Sequence, residues 1–95
     1  MSNFQGGSPK ISNLILENSN TPYLFYFDKW CKKFIVKTRN RQAVTVTTDV
    51  NDVNYLTLSK GSVWCEDFIL CPLTLYFKSQ ENNVVVEILE WISKD

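Results

Sequence analysis

The sequence contains no histidine. That removes the commonest general base, and with it the Ser–His and Cys–His nucleophile pairs and the histidine-bearing zinc sites. Glycine is scarce too. Two of the three glycines, Gly6 and Gly7, sit near the N-terminus, so neither a P-loop nor a GxGxxG dinucleotide turn is present. Net charge is missing, because ten Lys and Arg balance ten Asp and Glu. Nucleic-acid binders carry a basic excess, so no nucleic-acid partner is expected. No apolar run approaches the roughly 18–20 residues of a membrane-spanning helix. The opening MSNFQGGSPK has no cationic stretch followed by an apolar one. Neither a membrane partner nor a signal peptide is predicted.

The remaining candidates for chemistry are few. Cys31, Cys65 and Cys71 are odd in number, widely spaced and without a CxxC knuckle. They read as buried structural thiols, reduced in a protein folded in a cytosolic environment, with no disulfide and no metal. Glu66-Asp67 and Asp49 with Asp52 do not mark a carboxylate pair across a cleft. The run Asp49-Val50-Asn51-Asp52 lacks the spacing and the glycine of a calcium loop. These acids read as solvated loop charges. No catalytic residue, cofactor or metal is expected, and the chain reads as a non-enzyme. The basic cluster Lys29, Lys32, Lys33, Lys37, Arg39 and Arg41, interleaved with Trp30 and Phe34, has the ingredients of a single-strand platform. Its alternation with core residues favours an exposed strand whose lysines guard a sheet edge.

What the sequence does have is β-pattern. Ninety-five residues make one domain, which buries only about 60–65% of the surface its unfolded chain exposes. Residues 1–10 read as a flexible N-terminal arm and residues 11–95 as a β-sandwich. Period-2 alternation predicts strands at Asn13–Glu17, Tyr23–Phe27, Lys32–Thr38, Ala43–Thr48 and Tyr55–Leu58. Short pieces follow at Val63-Trp64 and Phe68–Leu70. The stretch LTLYFKSQENNVVVEILEW reads as a closing hairpin, with Gln80–Asn83 as its loop and Phe77 facing Val86. A helix over Glu87–Lys94 is disfavoured by Val84-Val85-Val86. The fold class is all-β, an antiparallel β-sandwich or jelly roll of about eight short strands. The expected core is Leu14, Leu16, Phe25, Phe34, Val36, Val44, Val46, Leu56, Leu58, Leu75, Phe77, Val86 and Ile88. In the hairpin register Tyr76, Leu89 and Trp91 share the face opposite the core, which is too apolar for free solvent. Those three, with Phe4 as the arm's anchor, are the candidate interface residues, where aromatics concentrate binding energy.

The order of these segments resembles small β-sandwich virion proteins of tailed bacteriophages. The resemblance lies in NLILENSNTPY after an arm, KKFIVKTRNR feeding a Thr/Val strand, YLTLSKG, and the final LTLYFKS and NVVVEILEW. The chain departs from that pattern in ending its leucine strand on Ser-Lys-Gly where Pro-Gly is common, and in its three cysteines. The resemblance implies a head-decoration, fibre or other accessory structural protein located in the virion. Its partners would be capsid or other virion proteins, and it would form a homo-oligomer, a trimer rather than a dimer. A carbohydrate- or receptor-binding module, using exposed Trp or Tyr, is the alternative. Denatured protein should titrate three thiols per chain under non-reducing conditions; a lower count would reveal a disulfide.

Overall fold

The computed structural model of the chain describes residues 8–51, 53–67 and 69–93. Eight strands follow one another: β1 (Ser8–Leu16), β2 (Tyr23–Tyr26), β3 (Cys31–Thr38), β4 (Val44–Thr47), β5 (Leu56–Leu58), β6 (Val63–Asp67), β7 (Thr74–Lys78) and β8 (Val84–Ile92). They form two antiparallel sheets, one in the order β1-β8-β3-β6 and the other in the order β2-β7-β4-β5. The pairings β1·β8, β2·β7, β3·β6 and β4·β5 are nested, which is the jelly-roll arrangement of an eight-stranded sandwich.

β1 begins at Ser8, so Ser8, Pro9 and Lys10, assigned to the arm by composition, are paired with Ile92, Trp91 and Glu90. The rest of the arm, including Phe4, lies outside the described residues. The C-terminal segment is strand through Ile92, not helix.

The predicted closing hairpin is not formed. β7 lies between β2 and β4, β8 lies between β1 and β3, and the two belong to different sheets. Phe77 is opposite Tyr23 and Val46, while Val86 is opposite Leu14 and Thr38. The predicted facing still holds, since Leu75, Phe77, Val84, Val86 and Ile88 are all buried. The segment after Lys78 turns a corner between layers instead of reversing within one. There it meets the matching corner between β1 and β2. Asn20 N–H donates to the Ser79 carbonyl at 2.6 Å, and Ser19 N–H donates to Asn82 Oδ1 at 2.7 Å. A second double corner joins Phe27 N–H to the Leu73 carbonyl and Ile69 N–H to the Lys32 carbonyl. A third sets the Arg41 guanidinium against Gly61, whose φ of +80° suits glycine and whose missing Cβ leaves Arg41 its place.

The core lies between the sheets and is built by alternation. Even-numbered residues of β8 and odd-numbered residues of β7 point inward. In β3 a bulge between Cys31 and Lys33 lets both Cys31 and Phe34 face the core despite their odd spacing. Aromatic rings link the layers. Phe25 meets Phe27 edge-on, Phe27 meets Phe34, and Phe34 meets Trp64 edge-on, each pair with centroids 4.9 Å apart. Phe27, Cys31 and Val84 join the expected core, with Leu14 and Phe25 half-buried at its margin. Leu56 does not belong to it and is 51% exposed. β5 is the last strand of its sheet, and Leu56 sits at its open end beside the exposed Val53–Tyr55 run.

Phe77→Ala should lower unfolding stability by roughly 3–5 kcal/mol through a cavity at the centre of this layer. Leu56→Ala should change it by no more than about 0.5 kcal/mol, as at other surface positions. Denaturant titration of the two variants checks both the facing and the correction.

Candidate functional site

The outer face of the β1-β8-β3-β6 sheet follows from the same alternation, read on the other side. Residues directly opposite one another share a face. One row therefore runs Ile11, Leu89, Ile35, Cys65 across all four strands. Its neighbours are Asn13, Glu87, Lys37, Val63 on one side and Pro9, Trp91, Lys33, Asp67 on the other. Ile11 is 74% exposed, Ile15 is 51% exposed, and Leu89, Ile35 and Trp91 are half-buried. A shallow depression of about 300 Å³ opens among Ile11, Ile35 and Leu89, rimmed by Asn13, Lys37 and Glu87.

The charges on this face are drawn into ion pairs, three cations against two carboxylates. Arg39 Nε donates to Glu87 Oε2 at 2.9 Å, and Lys37 Nζ lies 3.6 Å from Glu87 Oε1. Lys33 Nζ lies 3.6 Å from Asp67. The hydrogen bond from Arg39, with the nearby Lys37 charge, holds the Glu87 carboxyl below the usual range. The basic cluster is thus distributed differently from the edge-guard reading. β3 is an interior strand between β8 and β6, and its Lys33 and Lys37, with Arg39 just beyond it, spread over the sheet face into ion pairs. Lys29 stacks over Trp30 at 5.6 Å in the turn before β3.

The expected interface residues do not share one surface. Leu89 and Trp91 lie on this face. Tyr76 belongs to β7, on the outer side of the opposite sheet, because the hairpin that would have united them is a corner. Sequence reasoning missed Ile11, Ile15 and Ile35. The alternation of β1 and β3 carried that signal, but only the pairing with β8 sets Ile11 and Ile35 beside Leu89 and Ile15 beside Val85.

The interior holds one polar cluster. Glu90 is fully buried; its Oε2 accepts the Asp28 N–H at 2.7 Å, and its Oε1 has no protein hydrogen-bond partner. The Cys31 thiol donates to the Lys33 carbonyl at 3.3 Å, and the Cys71 thiol, also free, lies nearby. Burial pushes the Cys31 thiol up to about 11 and raises Cys71 as well, so both stay protonated near neutrality and are poor nucleophiles. Of the three cysteines expected to be buried, Cys31 is and Cys71 is half-buried, but Cys65 is exposed, because it alternates onto the outer face of β6 opposite Ile35. Among the described residues no three His, Cys, Asp or Glu side chains are placed to hold a metal ion.

Comparison with protein families, with curated proteins and with solved structures finds no match to this chain.

A carboxylate whose pKa is depressed in the folded state stabilises that state above its unfolded value, and the contribution is lost as pH falls through the folded value. For Glu87 the loss sets in below the ordinary glutamate value of 4.5. Glu87→Gln should therefore be less stable than the natural chain at pH 6, and the gap should shrink as pH falls through this acid window. Denaturant midpoints measured across that range check the sign; a pH-independent gap would remove Glu87 from the acid limb.

Proposed function

We propose that this chain is a non-enzymatic structural protein of a phage particle, a capsid-decoration or other accessory virion protein. It folds in the host cytoplasm and acts in the virion through contacts with capsid or other virion proteins and with copies of itself. The apolar outer face around Ile11, Leu89, Ile35 and Trp91, its charges held in ion pairs, carries this reading. A contiguous apolar face on a small domain marks a protein contact, and its paired charges lower the cost of covering it. The jelly-roll order supports it by analogy, since that architecture recurs in viral capsid and lectin domains. The resemblance in the strand segments points the same way. Leu89 and Trp91 are the contact residues of this face; Tyr76 offers a separate contact on the opposite side. Multivalent placement of many copies would strengthen the particle without any single contact being strong.

The concavity of about 410 Å³ on the second sheet favours one further reading, carbohydrate or receptor binding. Tyr55, 61% exposed, stands there with Asn20, Thr45, Gln80 and Glu81, an aromatic platform beside amide, hydroxyl and carboxylate groups.

Quantitative mass spectrometry of purified particles tests the choice. The structural reading expects the chain in many copies per particle, with Trp91→Ala weakening attachment by about 2 kcal/mol. Its absence from particles, with retention on a glycan surface that Tyr55→Ala abolishes, would decide for the second reading.

A further inference from the structure

Among the described residues β1 has no strand on its outer side, and this edge differs from the other sheet edges. Strand edges are normally blunted by shortness, charge, proline or a bulge, because their unpaired main-chain groups recruit another strand. β2 and β5 are short, and β6 ends in Glu66 and Asp67. β1 has nine residues, pairs with β8 without any register shift, and from Ile11 to Leu16 carries no charge, proline or glycine.

The direction of its free groups follows from its neighbour. Arg39 N–H donates to the Val85 carbonyl, so Val85 turns its main chain toward β3. Main-chain groups alternate sides along a strand, which leaves Val84, Val86 and Ile88 to bond β1 through Leu16, Leu14 and Ser12. Ile11, Asn13 and Ile15 therefore present their N–H and C=O groups to the open edge, and their side chains to the apolar outer face.

We infer that this edge is a self-association site, at which β1 of a second copy adds antiparallel about a two-fold axis through Asn13. The inference rests on the reading of the chain as an assembly protein and names its self-contact. In this register Ile11 lies opposite Ile15 of the second copy in both directions, and Asn13 lies opposite its own counterpart. Each such pair exchanges two main-chain hydrogen bonds. A shift of two residues either way sets isoleucine against asparagine. Antiparallel pairing also brings the Lys10 end of one strand to the Glu17 end of the other, whereas parallel pairing would place like charges together. The result is one eight-stranded sheet whose apolar outer face runs across both copies and stays open to a third partner.

Sedimentation of the full chain at micromolar concentration is the first test, with a mass of two copies expected. Ile11→Lys with Ile15→Lys, both at exposed positions, should return the monomer with the thermal unfolding of a folded chain. The second test is Asn13→Cys in a Cys65→Ser background with oxidised glutathione. Directly opposed Cα atoms at about 5.5 Å admit a disulfide, so an interchain bridge should form. It should be lost in Ser12→Cys, which is offset from the axis. A monomer throughout, a three-copy mass, or an oligomer that survives both lysines without the Asn13→Cys bridge would overturn the two-fold edge. Many copies per particle together with any of those results would leave the assembly reading standing. A dimer broken by the lysines, with the chain absent from particles, would support the edge and remove the virion role.

Discussion

Everything in this fold hangs on one apolar layer shared by two sheets. Phe34, Val36, Val86 and Ile88 from one side meet Val44, Val46, Leu75 and Phe77 from the other, and all are buried. Each such side chain stabilises the folded state by about 1.5–3 kcal/mol relative to exposure. A small domain has little else to draw on, so the alternation that fills this layer fixes which side of every strand is left for solvent or partners. The apolar outer face is the complement of the core. β8 shows the cost most clearly. It supplies Val84, Val86 and Ile88 to the inside, is paired on both sides, and still places Val85, Leu89 and Trp91 on the outside.

How far the sequence was legible follows from what alternation can and cannot say. Period 2 identified the inward residues of β3, β4, β7 and β8 and gave an all-β sandwich. It says nothing about which strand lies beside which. Phe77 and Val86 both face inward whether they are neighbours in a hairpin or come from opposite layers, and polar residues such as Gln80–Asn83 suit a corner as well as a hairpin loop. The Asn20–Ser79 and Ser19–Asn82 bonds that distinguish the two are long-range in sequence and leave no local trace. Cys31, expected buried as a structural thiol, was absent from the alternating core because the β3 bulge breaks the period, and Leu56 was included because strand pattern carries no information about where a sheet ends.

The same limit governs the site. Leu89 and Trp91 stand out as outward apolar residues in the sequence. Ile11 and Ile35 become neighbours of Leu89, and Ile15 of Val85, only through the β1·β8 and β3·β8 pairings. Tyr76 has an equally apolar character and ends on the far side of the molecule. Lys33, Lys37 and Arg39 illustrate the converse: in sequence they resemble an edge or a polyanion site, but in the sheet they are matched to Glu87 and Asp67. What remains for recognition is mostly shape and apolar surface.

The nested strand order has a consequence for how the chain reaches this state. Every connection except β4–β5 passes from one sheet to the other, so only that pair is a local hairpin. Loop-closure entropy makes direct pairing of β1 with β8, from opposite ends of the chain, the most expensive first step. Starting at β4–β5 and zipping outward through β3·β6, β2·β7 and β1·β8 closes only a short double corner at each stage. By this entropy alone, the pairing of β1 with β8 costs least once the inner pairs have formed. The rate of folding is set by topology rather than by the strength of any one contact.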